Sequence, residues 1–178
     1  MKNQTKSGVI WITGLAGAGK STFANALYKH LKQTHSNVIL LDGDVFRSIF
    51  GVSEYDRESR IKTGYKYNAF AKFLEQNGLL VICAAMGLFS EIYALNEANF
   101  KHYLQVYIKC DFDEIVRRDK KGLYSGAMRG EIKNVVGVDI AYDELQNPHL
   151  TIENSKMDNL EQKLNLLFGE VDKFLEQI

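Results

Sequence analysis

Within 178 residues, 22 lysines and arginines balance 22 aspartates and glutamates, and 46% of the chain is apolar. A chain of that length buries one continuous core, and no Pro/Gly/Ser-rich linker or charge run divides it, so a single domain over residues 1–178 is expected. The even charge argues against nucleic acid or an anionic membrane as partner, and no apolar run approaches the roughly 18 to 20 residues that cross a bilayer.

The N-terminal MKNQTKSG lacks the apolar core and small-residue cleavage site of a secretory signal, which points to a cytoplasmic protein. The first apolar run, GVIWIT (8–13), leads straight into GLAGAGKST, Gly14 to Thr22, and a helix-forming segment follows over Ser21–Gln33. Gly14, Gly19, Lys20 and Ser21 fit G-x-x-x-x-G-K-[ST], with the strand before and the helix behind that the motif demands. In such a loop Gly14, Gly17 and Gly19 let the backbone wrap a phosphate, with Leu15, Ala16 and Ala18 between them. The amides of Gly19 to Thr22 then stand at the positive end of the helix. Lys20 reaches the β and γ oxygens of ATP, and Ser21 is placed to ligate Mg²⁺.

A second strand, NVILLD (37–42), opens onto LDGDVFR, which sets Asp42, Asp44 and Arg47 at the C-terminal edge of a parallel sheet, where ligands of such folds bind. Extended backbone puts Asp42 and Asp44 on one face, whereas a turn at Gly43 splays them; one is a candidate proton acceptor and the other a candidate for orienting Mg²⁺-bound water. The helical segment Glu54–Asn77 carries Tyr65, Tyr67, Phe70 and Phe73 at spacings that suit core or a subunit interface. Strand LLVICAA (79–85), helix Phe89–Lys101, strand YLQVYIKC (103–110) and helix Asp113–Arg118 continue the alternation. Residues 120–147, rich in Gly, Lys and Tyr, fit neither period and read as a mobile flap. A strand over His149–Glu153 precedes an amphipathic helix over Met157–Ile178, with Leu160, Leu164, Leu167, Val171, Phe174 and Leu175 as its apolar stripe. The strands are apolar on both faces, so the expected class is α/β, a three-layer sandwich of P-loop NTPase type with a parallel sheet and a mobile lid. Cys83 and Cys110 lie in or beside apolar runs without metal spacing and read as buried thiols.

In order along the chain, GLAGAGKST, LDGDxxR, DRxxxI, RDxKGLY and GEIKxxxGVD resemble adenylylsulfate (APS) kinase, from Val9 to Leu150. The resemblance implies a P-loop kinase that moves the γ-phosphate of MgATP to the 3′-hydroxyl of a nucleotide, commonly as a homodimer. By the same resemblance Asp44 matches the catalytic base, with Lys20 holding the transferred charge, and Asp42, Arg47 and Arg57 lie on the acceptor. The lid, residues 118–140, brings Arg118 to the ATP and Lys121 and Lys133 to the substrate phosphates.

The acceptor side departs from the family pattern. Val45 replaces an Asn, Arg60 stands where an acceptor-binding Asn is usual, the loop between Arg47 and Arg57 is shorter, and AMGLF (85–89) lacks the Ile-Ser-Pro turn. Val52 and Val135 stand at the two aromatics that sandwich adenine, a loss of about 1 to 3 kcal/mol for each missing stacking partner. The ATP side and Asp44 are unchanged, so the same reaction on another acceptor is expected. The chain resembles the cytidine diphosphoramidate kinase branch, which serves capsular polysaccharide phosphoramidate synthesis, with Arg60 facing the further phosphate. APS is the alternative acceptor, and a regulatory module that binds nucleotide without turnover is the alternative of another class.

Overall fold

The structure, a computed structural model, describes residues 6–119 and 122–178. Five strands run parallel in the order β2-β3-β1-β4-β5: β1 Gly8–Thr13, β2 Val38–Asp42, β3 Leu80–Ala84, β4 Tyr103–Lys109 and β5 Leu150–Glu153. Every residue of β1 and β3 is buried, which is why both read as unbroken apolar runs. Ile10 is registered against Ile82 on one side and Leu104 on the other, at the centre of the core.

The two faces of β1 carry different helices. Trp11 turns its indole to α3 (Arg57–Gln76), where Tyr67 meets it edge-on at 5.2 Å. On the opposite face a Cβ at Gly8 would stand 3.1 Å from Phe174 of α7 (Leu160–Glu176). The helix α1 (Lys20–Leu31) packs beside α7, and α4 (Ser90–Asn99) beside α3, completing the expected three layers. At the α3–α4 contact a Cβ on Gly64 would lie 2.4 Å from Cδ1 of Ile92, so the glycine permits the close approach. Both cysteines are buried and free. Among the described residues, no helix is long and apolar enough to cross a membrane.

Two short helices stand where the sequence suggested turn or flap. Gly43–Ile49 forms α2, started by the Asp42 carboxylate, which accepts the Asp44 N–H, and held by the buried ring of Phe46. Leu123–Met128 forms α6, whose first turn is tied by Asp119, accepting from the N–H groups of Tyr124 at 2.8 Å and Ser125 at 3.1 Å. The helix α5 spans Phe112–Arg118. In α7 the expected stripe begins one turn late: Leu160 is 45% exposed in the first turn, before the helix meets the sheet. Of the α3 aromatics, Tyr67 is buried whereas Tyr65 and Phe73 face outward.

Candidate active site

The glycine loop runs from the end of β1 into α1, past the end of β4 at Ile108 and the residue after β5, Asn154. A Cβ on Gly14 would stand 2.5 Å from the Ile108 carbonyl oxygen, and one on Gly19, at φ 112°, would stand 2.8 Å from the Asn154 amide nitrogen. Only glycine fits either position. Donors outside the loop hold its carbonyls: the Asn154 amide donates to Ala18 at 2.7 Å and the Tyr124 hydroxyl to Ala16 at 3.0 Å. Gly19 offers α1 no side-chain cap, so no side chain of the cap position occupies the positive end of the helix where an anion would sit. Lys20 donates to the Leu15 carbonyl at 2.9 Å, and burial lowers its pKa to about 8 against the opposing pull of Asp44 and then Asp42.

Asp42 and Asp44 are splayed by the turn into α2. Oδ1 of Asp42 accepts the Asp44 N–H at 2.9 Å and Oδ2 accepts the Ser21 hydroxyl at 3.0 Å, joining the ends of β2 and the glycine loop. Asp44 is exposed in the first turn of α2, within the field of Lys20. Two oxygens from different elements thus meet at Ser21, and among the described residues no group of three His, Cys, Asp or Glu side chains forms a metal cage.

One turn past Asp44, the Arg47 guanidinium lies 4.4 Å from the centre of the Tyr55 ring and donates to the Glu54 carbonyl at 2.9 Å. Arg60 approaches the same ring at 5.2 Å and donates from Nε to Tyr55 O at 2.6 Å and from Nη2 to Asn134 O at 2.8 Å. Burial, reinforced by the charge of Arg47, lowers the Arg60 pKa to about 10. Arg57 lies 5.3 Å from the Phe89 ring and donates from Nη2 to both Glu91 oxygens at 3.0 and 3.3 Å; the backbone N–H of Glu91 and then Arg57 hold that carboxyl below its ordinary range.

The other expected residues are placed unevenly. Val52 is half-buried beside an open hollow of about 360 Å³ between the α2–α3 loop and α3, whereas the Val135 side chain is buried in the core instead of walling an open cleft. Arg118 donates from Nε to Glu114 at 2.8 Å and from Nη2 to the carbonyls of Asn154 at 2.6 Å and Ser155 at 3.0 Å, next to the residue that holds the loop at Ala18. Lys133 is exposed at the surface, and Lys121 lies outside the described residues. Sequence reasoning passed over three residues. Tyr124 sits inside the quoted RDxKGLY motif and was available to find; Asn154 and Tyr55 carry no motif, and only the fold brings them to the site.

Residues 6–153 match the family model described as Adenylylsulphate kinase, most of the chain. The chain belongs to the adenylylsulphate kinase family. It is 48% identical over 163 residues, 92% of this chain and 95% of the relative, to a cytidine diphosphoramidate kinase of Campylobacter jejuni. A probable adenylyl-sulfate kinase of Archaeoglobus fulgidus is 38% identical over 151 residues, 84% of this chain and 97% of that one. Among solved structures, a Mycobacterium tuberculosis APS kinase in complex with AMPPNP and APS superposes with a TM-score of 0.83 at 26% identity, covering 94% of this chain and 98% of that one. Like its relatives in the adenylylsulphate kinase family, the chain is an ATP-using phosphotransferase whose acceptor is a nucleotide hydroxyl.

Proposed function

We propose that this kinase transfers the γ-phosphoryl of ATP to the ribose 3′-hydroxyl of cytidine 5′-diphosphoramidate, within capsular phosphoramidate synthesis. The observation that carries the reading is 48% identity across 95% of the length of a kinase named for that acceptor. Valine at position 52 supports it, because a weakly stacking pyrimidine loses less than adenine does when a stacking aromatic is absent.

In this reading the acceptor 3′-oxygen forms the new bond to Pγ, the bond from Pγ to the bridging oxygen of ADP breaks, and the 3′-hydroxyl proton passes to Asp44. Asp42, whose two oxygens accept from Ser21 and from the Asp44 N–H, stays beside Ser21. Lys20 and the loop amides, Gly14 to Thr22, hold the β and γ oxygens, with Arg118 toward the adenine end. Ser21 and Asp42 fit Mg²⁺: they are hard oxygen donors, and this ion is usually held by one or two protein oxygens together with water and phosphate. Bound there, the ion would offset charge on the polyphosphate. Arg47, Arg57 and Arg60 face the acceptor phosphates, and closure of residues 118–140 brings Lys121 and Lys133 over them and excludes water. Exposed Ile49, Phe50 and Phe73 on the α2–α3 side support a homodimer, and ATP dependence suits a cytoplasmic single-domain enzyme.

Purified protein with MgATP and either cytidine diphosphoramidate or APS tests the assignment by ADP release. Turnover of the cytidine compound is expected. Robust turnover of APS with none of the cytidine compound overturns it, and no turnover with any acceptor favours a binding module instead.

A further inference from the structure

Loss of both expected stacking aromatics leaves the acceptor side with no obvious surface for a base, yet the fold supplies an aromatic ring from a third position. Tyr55 stands in the short loop between α2 and α3, just ahead of Asp56, whose carboxylate caps α3 by accepting the Ser59 N–H at 3.0 Å. The ring is 46% exposed although two guanidiniums hold it, Arg47 at 4.4 Å and Arg60 at 5.2 Å. A tyrosine needed only for the core would be covered.

Its neighbours place it on the acceptor side. Arg47 follows Asp44 by three residues on α2, so the ring lies along the side of that helix that carries the carboxylate. Arg60 runs on from the ring to the Asn134 carbonyl, and its charge senses Tyr124, which is bonded to the glycine loop at Ala16. Tyr55 therefore lies with α2, Arg60 and the 134 loop on the side of the molecule where Arg60 is within the field of Tyr124. Two cations fix the ring in orientation while leaving much of its surface in solvent, and a planar base stacks well on a ring so held.

We propose that Tyr55 is an acceptor-specificity residue: its ring is the platform on which the base of the acceptor nucleotide stacks, and Arg47 and Arg60 orient it. The inference rests on the nucleotide-kinase reading but not on which base the acceptor carries.

The test compares wild type with Tyr55→Phe and Tyr55→Leu, using cytidine diphosphoramidate and APS as acceptors and, independently of turnover, cytidine 5′-diphosphate binding in the presence of saturating AMPPNP. Removing the ring in Tyr55→Leu is expected to raise acceptor KM and the cytidine diphosphate Kd by about 5- to 100-fold, the range of base–aromatic stacking. Tyr55→Phe keeps the ring and is expected to stay within about twofold of wild type, with KM for ATP and the thermal midpoint unchanged in both variants. Acceptor KM and cytidine diphosphate Kd both unmoved in Tyr55→Leu, an equal loss in Tyr55→Phe, or a parallel rise in KM for ATP overturns the proposal. If wild type turns over APS alone, the acceptor assignment fails while the platform is judged on APS KM; if wild type uses no acceptor and binds no cytidine diphosphate, both fail.

Discussion

Lys20 gives the most quantitative handle on the donor side. Its pKa is lowered from 10.5 to about 8, first by burial, with Asp44 and Asp42 only partly offsetting that cost. The sign is therefore that of a buried cation: the free protein carries the cost of the ammonium below pH 8 and is relieved of it as pH rises toward 10.5. A polyphosphate held by the loop restores the ordinary affinity for the proton, so ATP binding takes up protons between those values. At about pH 8.5 the free side chain is about one-quarter protonated and the complex nearly fully so, an uptake of about 0.75 proton per ATP, against about 0.1 at pH 7. Over about pH 7 to 9.5 the same linkage weakens ATP affinity about 25-fold, or about 2 kcal/mol. Calorimetry in two buffers of different ionisation enthalpy reads the uptake directly, and Lys20→Arg, charged throughout, is expected to abolish it. No uptake near pH 8.5, or uptake that persists in Lys20→Arg, refutes the reasoning.

Asp44→Asn is expected to lower kcat by about 10²- to 10⁴-fold, measured by ADP release at saturating acceptor, with ATP affinity changed far less. Gly19→Ala forces a side chain into φ 112° and against Asn154, so a thermal midpoint lowered by about 1 to 3 kcal/mol of stability and loss of ATP binding by calorimetry are expected together. Gly64→Ala drives a methyl into Ile92 and should destabilise by about 1 to 3 kcal/mol in denaturant unfolding, with Ile92→Ala in the same chain recovering part of it.

The sheet was legible because its central strands are buried on both faces, which leaves runs such as VIWI and LVICA with no polar interruption. The helix α3 was legible through its length and period. The helix α2 was not: seven residues carry too little periodicity, and its stability comes from the Asp42 cap and from Phe46 packing on Tyr67 at 4.5 Å, a contact 21 residues away in sequence. The helix α6 was hidden by Gly126 within it, where a Cβ would crowd the terminal methyl of Ile132 at 2.7 Å. The same distinction divides the site. The donor loop is nine consecutive residues and reads directly, whereas the acceptor rim joins Arg60 to Asn134 across 74 positions, and no local pattern encodes that.

The acceptor side differs from the donor side in how firmly its groups are held. The glycine loop is fixed by backbone and by the bonds that Asn154 and Tyr124 donate to its carbonyls, so its amides need little rearrangement to meet a phosphate. Arg57 has a partner that a phosphate displaces readily. The exposed pair of Arg57 with Glu91 is worth about 0 to 1 kcal/mol, less than a bidentate bond from guanidinium to a phosphate oxygen pair. Arg47 and Arg60 rest on neutral carbonyls and the Tyr55 ring, and of the two Arg60 also lies in the field of Asp139. Binding of a charged acceptor thus exchanges the weak pair at Arg57 for a phosphate contact and adds charge partners to Arg47 and Arg60 where they stand on the Tyr55 ring. Such a side tolerates a change of acceptor with few substitutions, as long as Asp44 and the phosphate loop stay in register.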